Sequence, residues 1–174
     1  EYMPWLAGVK EVIEMCDHLS MIDVWKKQPL PDNKQAFMEL VDVFAFAMSS
    51  HLKQRKERPV GSIAHLWGCV PVGIPVDRLI ASFSTLKTSE PFFYINAICV
   101  GFFKRPITDI YYYYMGKQTL TQFRQANGYK TGDYVKNWAG KEDNEHLTDM
   151  LENGVSIEYL PEALEHAYNL AVKH

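Results

Sequence analysis

Lys34-Gln35-Ala36-Phe37-Met38-Glu39-Leu40-Val41-Asp42-Val43-Phe44 is the stretch that decides the fold. Apolar side chains at Phe37, Leu40, Val41 and Phe44, continued by Met48 and Leu52, recur three and four residues apart. That is the period of a helix with one broad apolar face. Asp32 or Asn33 is placed to cap it. Pro59 and Gly61 stop it, so a helix is expected over 34–56.

Working outward, no run of strict alternation outcompetes the helical readings, and the chain is expected to be all-α. A first helix is expected over 5–25, on Leu6, Val9, Ile13 and Cys16; Pro29 and Pro31 then force a loop. Short helices are expected over 63–67 and 76–86, with 70–75 extended or turned. A longer helix follows Pro106, over 107–127, with Gly128 as its C-terminal cap. The last helices are expected over 145–153 and 161–173, with Pro161 in the first turn. Helical spacing begins almost at residue 1, which is Glu and not Met, so a longer native N-terminus is expected.

The 174 residues suit one domain, 1–174, with residues 59–91 as an insert or lid. Hydrophobic residues make up 47% and charged residues 22%, which excludes a disordered or fibrous chain. A net charge of -3 argues against a polynucleotide track. The longest apolar run is too short for a bilayer, and no membrane partner is expected. Three cysteines do not pair completely within one chain, which points to a reduced, intracellular setting. The six histidines lack zinc-ligand spacing.

Two groups of residues carry chemistry. Glu14 and Asp17, like Glu39 and Asp42, are spaced i, i+3, so each pair shares one helix face. The second pair interrupts a strongly apolar segment, where unpaired carboxylates are costly. A hard cation, Mg²⁺ before Mn²⁺, relieves both burial and mutual repulsion. A solvated edge paired with Lys10, Lys26 or Lys34 explains the spacing equally well. Further on, Lys117, Thr121 and Arg124 lie about one turn apart. Lys130 and Lys136 follow on a glycine-bearing loop with Tyr129, Tyr134 and Trp138. Arg and Lys suit phosphate oxygens; a solvated helix face uses the same residues.

The order of these segments resembles a known family. Phe123-Arg124-Gln125, Gly128-Tyr129-Lys130, Gly132, Tyr134, Lys136, Trp138, Gly140 and Glu142-Asp143-Asn144 are similar to the C-terminal signature of dimeric all-α dUTPases, within the MazG-like pyrophosphohydrolases. Upstream, Glu14-Met15-Cys16-Asp17, Trp25-Lys26-Lys27 and Glu39-Leu40-Val41-Asp42 resemble the family's two acidic motifs and the segment between them. The resemblance implies a dimeric helical bundle that hydrolyses a deoxyuridine di- or triphosphate between the α and β phosphates. It implies Mg²⁺ on Glu14, Asp17, Glu39 and Asp42, with Glu14 and Glu39 catalytic. It implies substrate binding by Trp25 beside the base, by Lys117, Thr121, Arg124, Tyr129, Lys130 and Lys136 along phosphates and sugar, and by Asn144 on the nucleotide. Thr121, Ala126 and Ala45 depart from the family pattern, and the uracil-reading motif expected ahead of the first acidic helix is not visible. A related enzyme for dCTP or a modified deoxynucleotide, or a nucleotide-binding relative without turnover, is the alternative.

Overall fold

The computed structural model describes residues 3–22, 25, 29–54, 76–84 and 90–172. Its order is α1 (Pro4–His18), α2 (Asn33–Gln54), α3 (Val76–Ser84), α4 (Glu90–Asn96) running into a π-helical segment (Ala97–Phe102), α5 (Thr108–Ala126), a two-residue hairpin pair β1 (Asn137–Trp138) and β2 (Lys141–Glu142), α6 (Asp143–Glu152) and α7 (Leu160–Val172). The fold is all-α, as the sequence leads one to expect. Packing divides the chain into two compact units, 1–110 and 111–174. The segments expected over 63–67 and 70–75, and most of the proposed insert over 59–91, lie outside the described residues.

In the first unit α1 packs along α2. The core stripe of α1 is Gly8, Val12, Met15 and Leu19, and it meets a nearly fully buried N-terminal half of α2 that includes Phe37, Leu40 and Val41. Phe37 sits edge-on to Phe103 at 5.3 Å, with the Arg105 guanidinium 4.6 Å from its ring centre. α3 lies against α1 so closely that a Cβ on Gly8 would stand 2.7 Å from Phe83. Leu52, expected on the apolar face of α2, is exposed.

The first helix ends at His18, not near residue 25. Ser20 adopts φ 55°. The N–H groups of Ser20 and Met21 turn back to the carbonyls of Asp17 and Cys16 at 2.8 and 2.9 Å. This is a Schellman stop, a role usually filled by glycine. The loop is pinned again where Ser20 Oγ donates to the Pro29 carbonyl and Asp32 N–H to that of His18, both at 2.8 Å. Asp32 caps α2 by accepting from the N–H groups of Lys34 and Gln35, each at 3.0 Å.

The second unit is built around aromatic rings. Trp138 is fully buried and packs with Phe123, Tyr134, His146 and Tyr168. Tyr134 stacks on Tyr168, a residue of α7, at 5.4 Å and 9°. Trp138 donates its indole N–H to the Val135 carbonyl at 2.8 Å. Gly128 (φ 86°) closes α5 as expected, with Tyr129 N–H bonded to the Arg124 carbonyl at 3.0 Å. No helix among the described residues is long and apolar enough to cross a membrane.

Candidate functional site

Phase along α1 decides which acids face α2. At ~100° per residue, Glu11 flanks the stripe of Gly8, Val12 and Met15, Glu14 lies further round, and Asp17 falls nearly opposite. The structure accordingly gathers Glu11, Glu14 and Glu39, each offering a carboxylate oxygen, and all three oxygens lie within 4.8 Å of one another. The side chains of Glu11 and Glu39 are only 13% and 12% exposed, that of Glu14 45%. Asp17 is exposed and is not part of this group. Asp42, one turn beyond Glu39, is close enough to act on Glu11 through its charge.

The sequence reading missed Glu11. The signal was present: acids at 11, 14 and 17 form two overlapping i, i+3 pairs, and the buried stripe selects the first. Only the choice of pair depends on which face the neighbouring helix covers.

The electrostatics are those of crowded carboxyls that Lys10, whose Nζ reaches Glu11 at 3.6 Å and also Glu14, offsets only in part. Burial, reinforced by hydrogen bonding to Glu14 and Glu39 and by the charges of Asp42 and Glu14, pushes the Glu11 carboxyl up to about 8. Its proton is what lets three carboxyls share so small a volume. Glu14 is held below its ordinary value, chiefly by the hydrogen bond from Lys10 one turn back. His18 Nε2 stands 3.9 Å from Glu39 Oε1. Oxygen-only donors, two of them largely buried and Glu14 more open to solvent, fit a hard divalent cation.

Burial raises the Cys16 thiol and pushes that of Cys99 up to about 12. Both therefore pack as thiols, without nucleophilic character.

In the second unit, Arg124 does not project freely. Its Nε and Nη2 donate to Asp143 Oδ2 and Oδ1, both at 2.7 Å, and Nη2 also reaches Asn144 Oδ1 at 3.2 Å. Tyr134 Oη donates to Asp143 Oδ2 at 2.7 Å. Burial works against the Arg124 charge, but the hydrogen bonds and charge of Asp143 outweigh it and the guanidinium pKa is raised. Thr121 is exposed, and its hydroxyl bonds back to the Lys117 carbonyl at 2.8 Å. Tyr129 and Lys130 are exposed. Lys136 pairs with Glu142 at 2.7 Å. Trp25 is 77% exposed.

No curated protein matches this chain. A family model described as dUTPase matches residues 4–129, well over half of it and including the three clustered carboxylates. With the all-α architecture and this acidic group, the match establishes that the chain belongs to the dUTPase family, whose members are nucleotide hydrolases.

Proposed function

We propose that the protein is an Mg²⁺-dependent dUTP/dUDP hydrolase that cleaves between the α and β phosphates and yields dUMP. The observation that carries this is the convergence of oxygens of Glu11, Glu14 and Glu39 within 4.8 Å of one another, Glu11 and Glu39 being largely buried. Glu11, Glu14, Glu39 and Asp42 would hold the metal, and Mn²⁺ would substitute. Asp17, expected among the ligands from spacing, is replaced in this set by Glu11. Bound Mg²⁺ would supply Lewis-acid charge neutralisation on the phosphates. Glu14, ionised and the most exposed of the three, orients the attacking water or takes its proton. Glu39 fixes the cluster from the facing helix.

Lys117, Arg124, Lys130 and Lys136 bear on phosphate charge, with Thr121 and Tyr129 beside them. Asn144 contacts the nucleotide and Trp25 flanks the base. Both units belong to one catalytic domain on this proposal, and the exposed apolar side chains of α1, Leu6 and Ile13 among them, support a homodimer.

The test is pyrophosphate and phosphate release from a panel of deoxynucleoside di- and triphosphates, with Mg²⁺ and with EDTA. Release from dUTP and dUDP, lost in EDTA, is expected. Release from dCTP alone would move the substrate to another pyrimidine. No release from any nucleotide would leave a binding protein.

A further inference from the structure

Asp143 carries a role that neither its burial nor the acidic cluster explains. Its carboxylate is fully buried at the start of α6, where the helix N-terminus favours negative charge. It accepts three hydrogen bonds, from Arg124 Nε, Arg124 Nη2 and Tyr134 Oη, each at 2.7 Å. Its own backbone N–H is anchored to the Lys136 carbonyl at 3.0 Å. Three segments thus converge on one side chain: the last turn of α5, the loop bearing Tyr134, and α6.

A bidentate carboxylate locks a guanidinium in plane and orientation. The hydrogen bonds of Arg124 to Asp143 and Asn144 run from Nε and Nη2, which leaves the two N–H donors of Nη1 outside this clamp. The side chain retains 19% exposure. A clamped edge with spare donors is pre-ordered for an anion and loses little side-chain freedom on binding.

We propose that Asp143 is a positioning residue: it acts through Arg124, presenting the Nη1 edge to a phosphate oxygen of the nucleotide, with Tyr134 bracing the clamp. The proposal rests on the phosphate role given to Arg124 above.

The experiment uses the full chain with Asp143→Asn, Arg124→Ala and the double variant. It reads kcat and KM for dUTP with Mg²⁺, the Kd of inorganic pyrophosphate by calorimetry, and folding by circular dichroism. Asp143→Asn is expected to lower kcat/KM by about 10- to 100-fold, mainly through KM, and to weaken pyrophosphate binding in parallel. The double variant is expected to match Arg124→Ala alone, because Asp143 acts only through that side chain. A folded Asp143→Asn protein with unchanged kcat/KM, or a double variant in which the two losses multiply, overturns the positioning role while leaving that of Arg124 intact. Unchanged kcat/KM in Arg124→Ala removes the phosphate role first and this proposal with it. Should Asp143→Asn fail to fold, Tyr134→Phe deletes one of the three bonds and keeps the ring. About a threefold rise in KM, absent in the Arg124→Ala background, is expected there; no rise overturns the proposal.

Discussion

Glu11 and Asp143 are both acids withdrawn from water, and their surroundings are opposite. Around Glu11 stand Glu14, Glu39 and Asp42, and although Lys10 Nζ lies 3.6 Å away, burial and the neighbouring carboxyls push its carboxyl up to about 8. Around Asp143 stand a guanidinium and a phenol, and every recorded neighbour donates to it. The first arrangement crowds carboxyls that burial disfavours, so removing a charge is expected to relax it. The second is complete without any ligand, and removing a charge would strand the other. Buried charge therefore means different things in the two units. On the proposals above, in the first it marks a place that a cation would complete, and in the second it is scaffolding for a neighbouring group.

That contrast breaks most sharply under Glu39→Gln. The amide keeps the shape and removes one of the clustered charges, so the fold is expected to persist with an unchanged or higher Tm. Turnover with Mg²⁺ is expected to fall by a factor on the order of a thousand or more, the scale of several kcal/mol of lost metal-assisted charge stabilisation. Steady-state hydrolysis beside a thermal melt checks both halves. Normal turnover in this variant would mean that the cluster is not the metal site.

The pH dependence of stability sharpens the same point. Glu11 binds its proton more tightly folded than unfolded, where a glutamate carboxyl titrates near its ordinary 4.5. Between about 4.5 and 8 the folded chain therefore holds a proton that the unfolded chain has released, and stability declines as pH rises through that window. Melts in EDTA should show Tm falling toward pH 8, and Mg²⁺ should restore most at the alkaline end, where the carboxylate no longer needs to lose a proton to bind. Glu11→Gln should flatten the EDTA curve. A slope that survives this substitution would assign the titration elsewhere.

The sequence carries the fold more fully than the site. The helical period of α2, the Asp32 cap and the Gly128 stop are local signals, and the structure has all three. The end of α1 is not legible in the same way, because Ser20 takes a left-handed conformation that composition does not announce. Leu52 has the right spacing for the core but is exposed, and the neighbouring His51 is the buried residue there, its ring against Phe92 at 6.0 Å. For the acids, residue type and spacing are visible while direction is not. Glu11, Glu14 and Asp17 form a ladder on one helix, and the position of α2 decides which rungs count. Arg124 stands out in the sequence as a cation; that Asp143 holds two of its nitrogens depends on a contact across nineteen residues of chain.

Steric tolerance separates the units by a smaller margin. A Cβ on Gly8 would meet the Phe83 ring at 2.7 and 2.8 Å, whereas one on Gly116 would meet the Leu151 Cδ1 methyl at 2.9 Å. An aromatic ring wedged between helices has few alternative rotamers, and a leucine methyl swings aside more cheaply. Gly8→Ala is expected to cost about 1–3 kcal/mol, as overpacking does, and Gly116→Ala distinctly less. Urea titrations of both variants check the order; a larger loss for Gly116→Ala would show that the second unit is the more tightly packed.

The smallest effect tests whether the first unit's remaining acids are ordinary. Asp32 sits outside the cluster and satisfies the N–H groups of Lys34 and Gln35 at the start of α2, the helix that carries Glu39. Asp32→Ala removes that cap and is expected to cost about 1 kcal/mol. The contrast with Glu39→Gln, expected to leave Tm unchanged or higher, is the informative part. One acid is deleted at a loss because its oxygen accepts from backbone donors; the other is expected to be deleted without loss because it shares its space with the Glu11 and Glu14 carboxyls. Because Glu39 lies about two turns inside α2, past the fraying end, Asp32→Ala should leave kcat near the parent value below its Tm. A matching fall in kcat would instead show that the first turn of α2 must be rigid for the carboxylates to meet.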